Sequence, residues 1–135
     1  MGTLVDTSVL VAAERGKINL NEIVNAYDDD AFISVVTVSE MLHGLHRATT
    51  AVVRTRRSEF IEQLLDLLTV IPIDIEIARE HSWIWAHLAM TGNMIGMNDT
   101  WLAATCIAND LTIATINVRD FERVPSLSVK VWTSQ

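Results

Sequence analysis

Residues 31–38, Ala-Phe-Ile-Ser-Val-Val-Thr-Val, are apolar or β-branched almost without interruption. A strand with one face in water alternates apolar and polar residues, whereas a run that is apolar on both faces belongs to a strand covered on both sides. Such strands occur in parallel sheets packed between helices, and the rest of the chain supplies the helices. Thr3-Leu4-Val5 reads as a short strand ending at Asp6-Thr7-Ser8, a helix-start signature, and Val9 to Glu14 as a helix stopped near Gly16. Leu20, Ile23 and Val24 fall at helical spacing within 19–27, ahead of the acidic turn Asp28-Asp29-Asp30. After the 31–38 strand, Ser39-Glu40 opens a helix carrying Met41, Leu42 and Leu45, and 50–68 sets Val53, Phe60, Ile61, Leu64, Leu65 and Leu68 on one stripe. Residues 70–73 form a short strand whose Pro72 marks a sheet edge or a strand end. A helix over 75–90 closes at Thr91-Gly92-Asn93, a small-residue helix covers 99–109, and strands over 112–115 and 128–132 complete the chain. Strand and helix in alternation predict an α/β sandwich around a parallel sheet. With 135 residues, no repeat and no linker-like stretch, one domain over 1–135 is expected.

Composition narrows the function. Half the residues are hydrophobic and 20% are charged, with only 5 Gly and 2 Pro, which excludes disorder and low-complexity scaffolds. Cys106 is the single cysteine, so no internal disulfide forms and a reducing compartment is the default. The start of the chain lacks a basic region followed by an apolar stretch and a cleavage site, and no apolar run approaches the roughly 20 residues of a membrane helix. A cytoplasmic protein that does not enter membranes is expected. The formal net charge of -7 counts, on bulk electrostatics, against a protein that coats nucleic acid.

The carboxylates are not scattered. Asp6 follows the first strand, Glu40 the second, Asp99 opens a helix, and Asp120 follows the 112–115 strand by a short loop. Function in a parallel α/β sheet gathers at the carboxyl ends of the strands, and all four residues belong at that edge. Clustered carboxylates repel unless they share protons or bind a cation. Oxygen donors without paired Cys or His point to a hard ion, Mg2+ or Mn2+, rather than to structural zinc. Each residue also has a plainer role: Asp6 and Asp99 as helix caps, Glu40 as a first-turn carboxylate on the helix dipole, Asp120 as partner of Arg119 or Arg123. Their common position favours the cation site.

Four segments together resemble the PIN-domain family, and most closely the VapC toxins of bacterial and archaeal toxin–antitoxin systems. They are Val5-Asp6-Thr7-Ser8, the stretch Val38-Ser39-Glu40-Met41-Leu42-His43-Gly44, the stretch Gly96-Met97-Asn98-Asp99-Thr100-Trp101-Leu102-Ala103-Ala104, and Thr115-Ile116-Asn117-Val118-Arg119-Asp120-Phe121-Glu122-Arg123-Val124. The resemblance spans essentially the whole chain. It implies a three-layer sandwich with a central, mostly parallel sheet flanked by helices. It further implies an endoribonuclease using Mg2+ or Mn2+, held in check by a VapB-type antitoxin, forming a homodimer and higher toxin–antitoxin assemblies. By position, Asp6, Glu40 and Asp99 match the acidic residues of the family's metal site; Asn117 and Asp120 both fall in the segment of the fourth, and only Asp120 is charged. Thr7, Ser8 and Thr115 are candidate hydroxyls supporting the site or touching substrate.

Other residues carry two readings each. His43 stands three residues from Glu40 and either faces the metal edge or is a bystander on its helix. His81 and His87 have no evident partner, and Cys106, amid Ala103, Ala104 and Ile107, reads as a small core residue. The four tryptophans are candidate base-stacking surfaces, although Trp83 and Trp85 diverge on a helix, so at least one belongs to core or interface. Arg47, Arg54, Arg56 and Arg57 form either a solvated face balanced by Glu59 and Glu62, or a phosphate-binding flank to which Arg119 and Arg123 add. The apolar helices around Met41-Leu42-Leu45 and 52–68 offer a groove for an amphipathic antitoxin segment. Competing classes are a non-catalytic PIN-like binding module and a housekeeping RNA-processing PIN nuclease. A haloacid-dehalogenase-type phosphohydrolase needs a second Asp two residues after the first, where Ser8 stands, and a receiver domain needs an acidic pair where Asp6 stands alone.

Overall fold

The computed structural model describes residues 2–27 and 30–132, which leaves Met1, the acidic-turn residues Asp28 and Asp29, and residues 133–135 outside the description. Five strands and seven helices follow one another among the described residues: β1 (Thr3–Val5), α1 (Thr7–Glu14), α2 (Leu20–Ala26), β2 (Ala31–Ser34), α3 (Val35–His46), α4 (Ala51–Leu67), β3 (Thr69–Ile71), α5 (Ile75–Met90), α6 (Met97–Asn109), β4 (Thr112–Thr115), α7 (Val118–Phe121) and β5 (Val129–Val131). The strands join in the order β3-β2-β1-β4-β5, and every pairing is parallel. The chain winds outward from β1 in one direction through β2 and β3, then restarts on the other side with β4 and β5. The direction reverses between β1 and β4, and a sheet of this kind opens a crevice at its carboxyl edge there.

Adjacent residues of β1 show how the layers form. Leu4 belongs to a core built with Ile77, Ile84, Leu88, Leu102 and Ile113, from α5, α6 and β4. Val5 belongs to a second core with Val9, Leu10, Ile33, Ile61 and Leu64, from α1, β2 and α4. Successive strand residues point to opposite faces, so one strand feeds two cores and helices cover both sides of the sheet. Leu4 and Val5 are both fully buried, and side chains of this size each contribute about 1.5–3 kcal/mol by leaving water. Among the described residues, no helix is long and apolar enough to cross a membrane.

The boundaries differ from expectation in places that matter for the site. The apolar run at 31–38 is a strand only as far as Ser34; residues from Val35 onward are α3. The Ser34 side chain caps this helix, accepting from the Val36 amide at 3.0 Å. Helical winding puts Thr37 and Met41 one turn apart on the buried face, and that burial outweighs the strand preference of Val-Val-Thr-Val. Glu40 therefore lies in the second turn of α3, not the first. Helix α6 begins at Met97, capped by the Gly96 backbone, which puts Asp99 inside the first turn. The short helix α7 stands where only a loop was expected. On α4, Ile61 and Leu64 are buried as the stripe requires, with Leu68 just beyond the helix, while Leu65 is exposed. Strand β3 is an edge strand with Pro72 immediately beyond it, as its sequence indicated.

Candidate active site

Asp6 leaves β1 at the point where the sheet reverses, and it is only 3% exposed. Its Oδ2 accepts from Ser8 Oγ at 2.6 Å and from Thr115 Oγ1, at the end of β4, at 2.7 Å. Asp6 occupies the N-cap position of α1, yet its side chain makes no capping hydrogen bond, so the plain capping role is absent. Thr115 Oγ1 in turn accepts from the Asn117 amide at 2.8 Å, and Ser8 Oγ from the Ile116 amide at 3.3 Å. Two strand ends are thus tied together through hydroxyls around one carboxylate.

Glu40 reaches the same edge from α3. Its Oε1 accepts from Thr7 Oγ1 at 2.8 Å, and Thr7 lies 3.0 Å from the buried hydroxyl of Thr37. Thr37 was not foreseen: in a strand reading its side chain has no relation to Glu40, whereas in a helix it sits three residues before it on the same face. Asp120, on α7, takes a hydrogen bond from Asn117 Nδ2 at 3.0 Å. Neither expected arginine pairs with it; Arg123 instead donates to the Met94 carbonyl at 3.0 Å. Among the described residues, Asp6, Glu40 and Asp120 each use one carboxylate oxygen in these bonds and leave the other without a partner.

Asp99 completes the group from the first turn of α6. Burial, then the negative charges of Asp6, Glu40 and Asp120, push its carboxyl up from the ordinary 3.8 to about 6. Asp6, Glu40 and Asp120 are thus close enough to Asp99 to act on its charge. They do not close into a cage: among the described residues, no three Asp, Glu, His or Cys side chains come together as a ready metal-ligand group. Beside them a cleft of about 490 Å³ is lined by Val36, Ser39, Glu40, His43, Asn98 and Trp101.

The remaining candidates separate. Arg56 Nε donates to Glu14 Oε1 at 3.3 Å, with Arg57 Nε 3.6 Å from the same oxygen, and the Glu14 side chain is 6% exposed. Arg57 also donates to the Gly44 carbonyl at 2.7 Å, and Arg54 to the Ala48 carbonyl at 2.9 Å. Three of the four clustered arginines thus brace α4 against α1 and the end of α3, and the carboxylate they meet is Glu14, not Glu59 or Glu62. Arg47 follows α3 on the exposed surface. Cys106 is buried in the core, and burial together with the charge of Asp6 holds its thiol protonated. Trp83 and Trp85 are 53% and 49% exposed, so neither is a core residue. His81 finds the partners its sequence did not reveal: Thr100 Oγ1 at 3.2 Å and the stacked ring of Trp101.

The PIN domain family model matches residues 3–127. Ribonuclease VapC of Rickettsia bellii (strain RML369-C) is 37% identical over 129 residues, 96% of this chain and 95% of that one. Among solved structures, DNA-bound VapBC from Salmonella typhimurium superposes with a TM-score of 0.89 at 25% identity, covering 98% of this chain and 99% of that one. VapBC-5 from Mycobacterium tuberculosis, a member of the VapBC family of toxin–antitoxin systems, gives 0.77 at 29% identity over 98% of each chain. The chain belongs to the PIN-domain family, in its VapC branch.

Proposed function

We propose that this protein is the ribonuclease toxin of a VapBC-type pair: a Mg2+- or Mn2+-dependent endoribonuclease neutralised by a VapB-type antitoxin. The observation that carries this reading is the convergence of Asp6, Glu40, Asp99 and Asp120 from four separate elements on one sheet edge. A non-catalytic binding module would have no use for so much unpaired negative charge. The VapC relative named a ribonuclease and the VapBC complexes of the same fold support the activity and the antitoxin partner.

The residues fit a hard divalent ion. The donors are carboxylate oxygens, with the Asn117 amide and hydroxyls nearby, and neither a thiolate nor a pair of imidazoles is among them. Mg2+ keeps several of its waters and takes only one or two carboxylates, so an open arrangement of four suits it better than a closed cage would. Asp6 and Asp99 would hold the ion; Glu40 and Asp120 would complete the shell, hold a second ion or orient water, with Asn117 steadying Asp120. When bound, the ion neutralises charge on the phosphoryl oxygens and activates the attacking water. The protein's part is positional. Ser8, Thr115 and Thr7 fix one oxygen of Asp6 and of Glu40, which presents the other in a set direction without reorganisation when RNA arrives.

For the antitoxin, a small cavity of about 140 Å³ opens between α1, α3 and α4, with Val11, Met41 and Ile61 as apolar lining and Glu14, Arg15, Glu40 and Arg57 as charged lining. A segment seated there would reach Glu40 and so the carboxylate edge. A homodimer is retained as part of the proposal: Ile75, Trp83, Trp85 and Met90 on α5 are exposed and give it apolar surface to bury. A cytoplasmic setting follows from the same reading, because RNA is the substrate. The test is purified protein incubated with total RNA, with Mg2+, with Mn2+ and with a chelator, and the cut ends mapped by sequencing. Discrete cuts that need the divalent ion support the proposal; uncut RNA under all three conditions overturns it.

A further inference from the structure

The cleft beside the carboxylates is not accounted for by phosphodiester chemistry alone. Glu40 is itself one of its walls, and Asn98 directly precedes Asp99, so anything in the cleft lies against the four-carboxylate edge. Its lining is unlike a phosphate site: the charged wall is a carboxylate, and His43 is the other ionisable group. Its lining is also unlike a greasy peptide groove, because Ser39, Glu40, His43 and Asn98 outnumber the apolar Val36.

Trp101 gives the cleft its character. The indole stacks on the imidazole of His81 with ring centroids 3.5 Å apart and 10° between the planes. His81 is 4% exposed and tied through Nε2 to Thr100 Oγ1 at 3.2 Å, so the ring behind the indole is anchored in the core. With one face covered in this way, Trp101 is held flat and rigid at the cleft wall. Around it, the Ser39, His43 and Asn98 side chains have no intramolecular hydrogen-bond partner among the described residues. A fixed aromatic plate ringed by free donors and acceptors, next to a centre that acts on a phosphodiester, suits a flat heterocycle with a hydrogen-bonding edge. Trp83 is instead stacked on His87 along α5 at 5.0 Å, and Trp132 lines a separate cleft with Glu22, Tyr27 and Lys130.

We infer that this cleft is a nucleobase subsite, in which a base flanking the scissile phosphate stacks on Trp101 while Ser39, His43 and Asn98 read its edge. The inference rests on the ribonuclease reading and adds the part of the substrate that reading leaves unassigned. It makes recognition local: the base is held at the cleft, and the backbone it carries is delivered to the carboxylates.

The experiment uses a short RNA containing one mapped cut and a series of the same RNA with a single base deleted at each nucleotide around that cut. For the wild-type protein, one abasic position is expected to raise KM about 5- to 150-fold with kcat changed much less, the range that loss of one stacked base produces. Trp101→Ala should show the same loss on intact RNA and become indifferent to that abasic position, while Trp101→Phe retains most of the preference. Binding of labelled RNA to the Asp6→Asn protein reads the same subsite without turnover and without depending on the Trp101→Ala fold: adding Asn98→Ala is expected to weaken it, and adding Trp101→Phe to retain most of it. Uniform tolerance of every abasic position overturns the inference while leaving the ribonuclease reading intact. A Trp101→Ala protein that cleaves with unchanged KM but escapes the antitoxin assigns the cleft to that partner and also overturns it. Failure of the wild-type protein to cut RNA with Mg2+ or Mn2+ overturns both readings at once.

Discussion

The orientation of Asp6 depends on the hydroxyls around it. Thr115 donates to its Oδ2 and simultaneously accepts from the Asn117 amide, so one buried side chain links the carboxylate to the loop that carries Asp120. Thr115→Val preserves shape but strands both partners. It is expected to weaken activation by Mg2+ about 10- to 100-fold, as loss of an outer partner of a metal ligand does, and to cost about 1–3 kcal/mol of stability. Cleavage rates titrated against Mg2+, with thermal unfolding alongside, check it. Asp99 yields a pH prediction. With its carboxyl lifted from 3.8 to about 6, the folded protein without metal keeps a proton there that the unfolded chain has released. Stability therefore falls as pH rises through that window and stays lowered above it. Asp99→Asn is neutral throughout, so its Tm in chelator should gain on the wild type from about pH 4 to about pH 6 and then hold its lead; a difference constant across that range contradicts the electrostatic coupling. Asp6 and Asp120 were noticeable because they follow β1 and β4, and Asp99 because it lies at the start of α6, whereas Glu40 was singled out through a strand over 31–38 that helix α3 replaces from Val35 onward. Thr37 was not legible, because its role depends on whether 35–38 winds or extends.

Among the elements, α3 decides the site's geometry. Had residues 31–38 formed one strand, Glu40 would open the next helix; instead the Ser34 hydroxyl caps a helix four residues earlier, and Glu40 meets Thr7 from its second turn. Ser34→Ala removes that cap and is expected to lower stability by about 1 kcal/mol, measured by denaturant unfolding, with cleavage reduced because Glu40 shifts with the helix start. Unchanged unfolding would mean that burial of Thr37 and Met41 fixes the boundary without the cap. The run misleads for a physical reason: β-branched residues prefer strands locally, and only the packing of one helical face against the sheet reverses that preference. Where local and global signals agree, as in β1, β4 and α5, the sequence indicates the element to within a residue or two. The four-residue helix α7 carries too few residues for any period to register, so Asn117 and Asp120 were placed in a loop although their pairing was within reach.

At the scale of the whole molecule, a net charge of -7 argued against an RNA partner, and the fold changes what that number means. Part of the acidity is concentrated where a doubly wound sheet reverses direction, and a divalent ion, if bound there as proposed, would invert the sign of the surface that RNA would meet. Of the clustered arginines, Arg54 and Arg57 hold backbone carbonyls and Arg56 and Arg57 meet Glu14, while Arg47 lies exposed beyond α3. Recognition on this account is centred on the carboxylate edge and its neighbouring cleft rather than on a basic face. The central claim is that these carboxylates are the divalent-dependent ribonuclease centre. It is tested most directly by following cleavage of one RNA by wild-type and Asp6→Asn protein in Mg2+ and in chelator, with circular dichroism to compare the folds. The account predicts cleavage by the wild type in Mg2+ alone and at least a hundredfold loss (about 3 kcal/mol) in Asp6→Asn with the spectrum unchanged. Equal cleavage by the two folded proteins, or cleavage that persists in chelator, would contradict it.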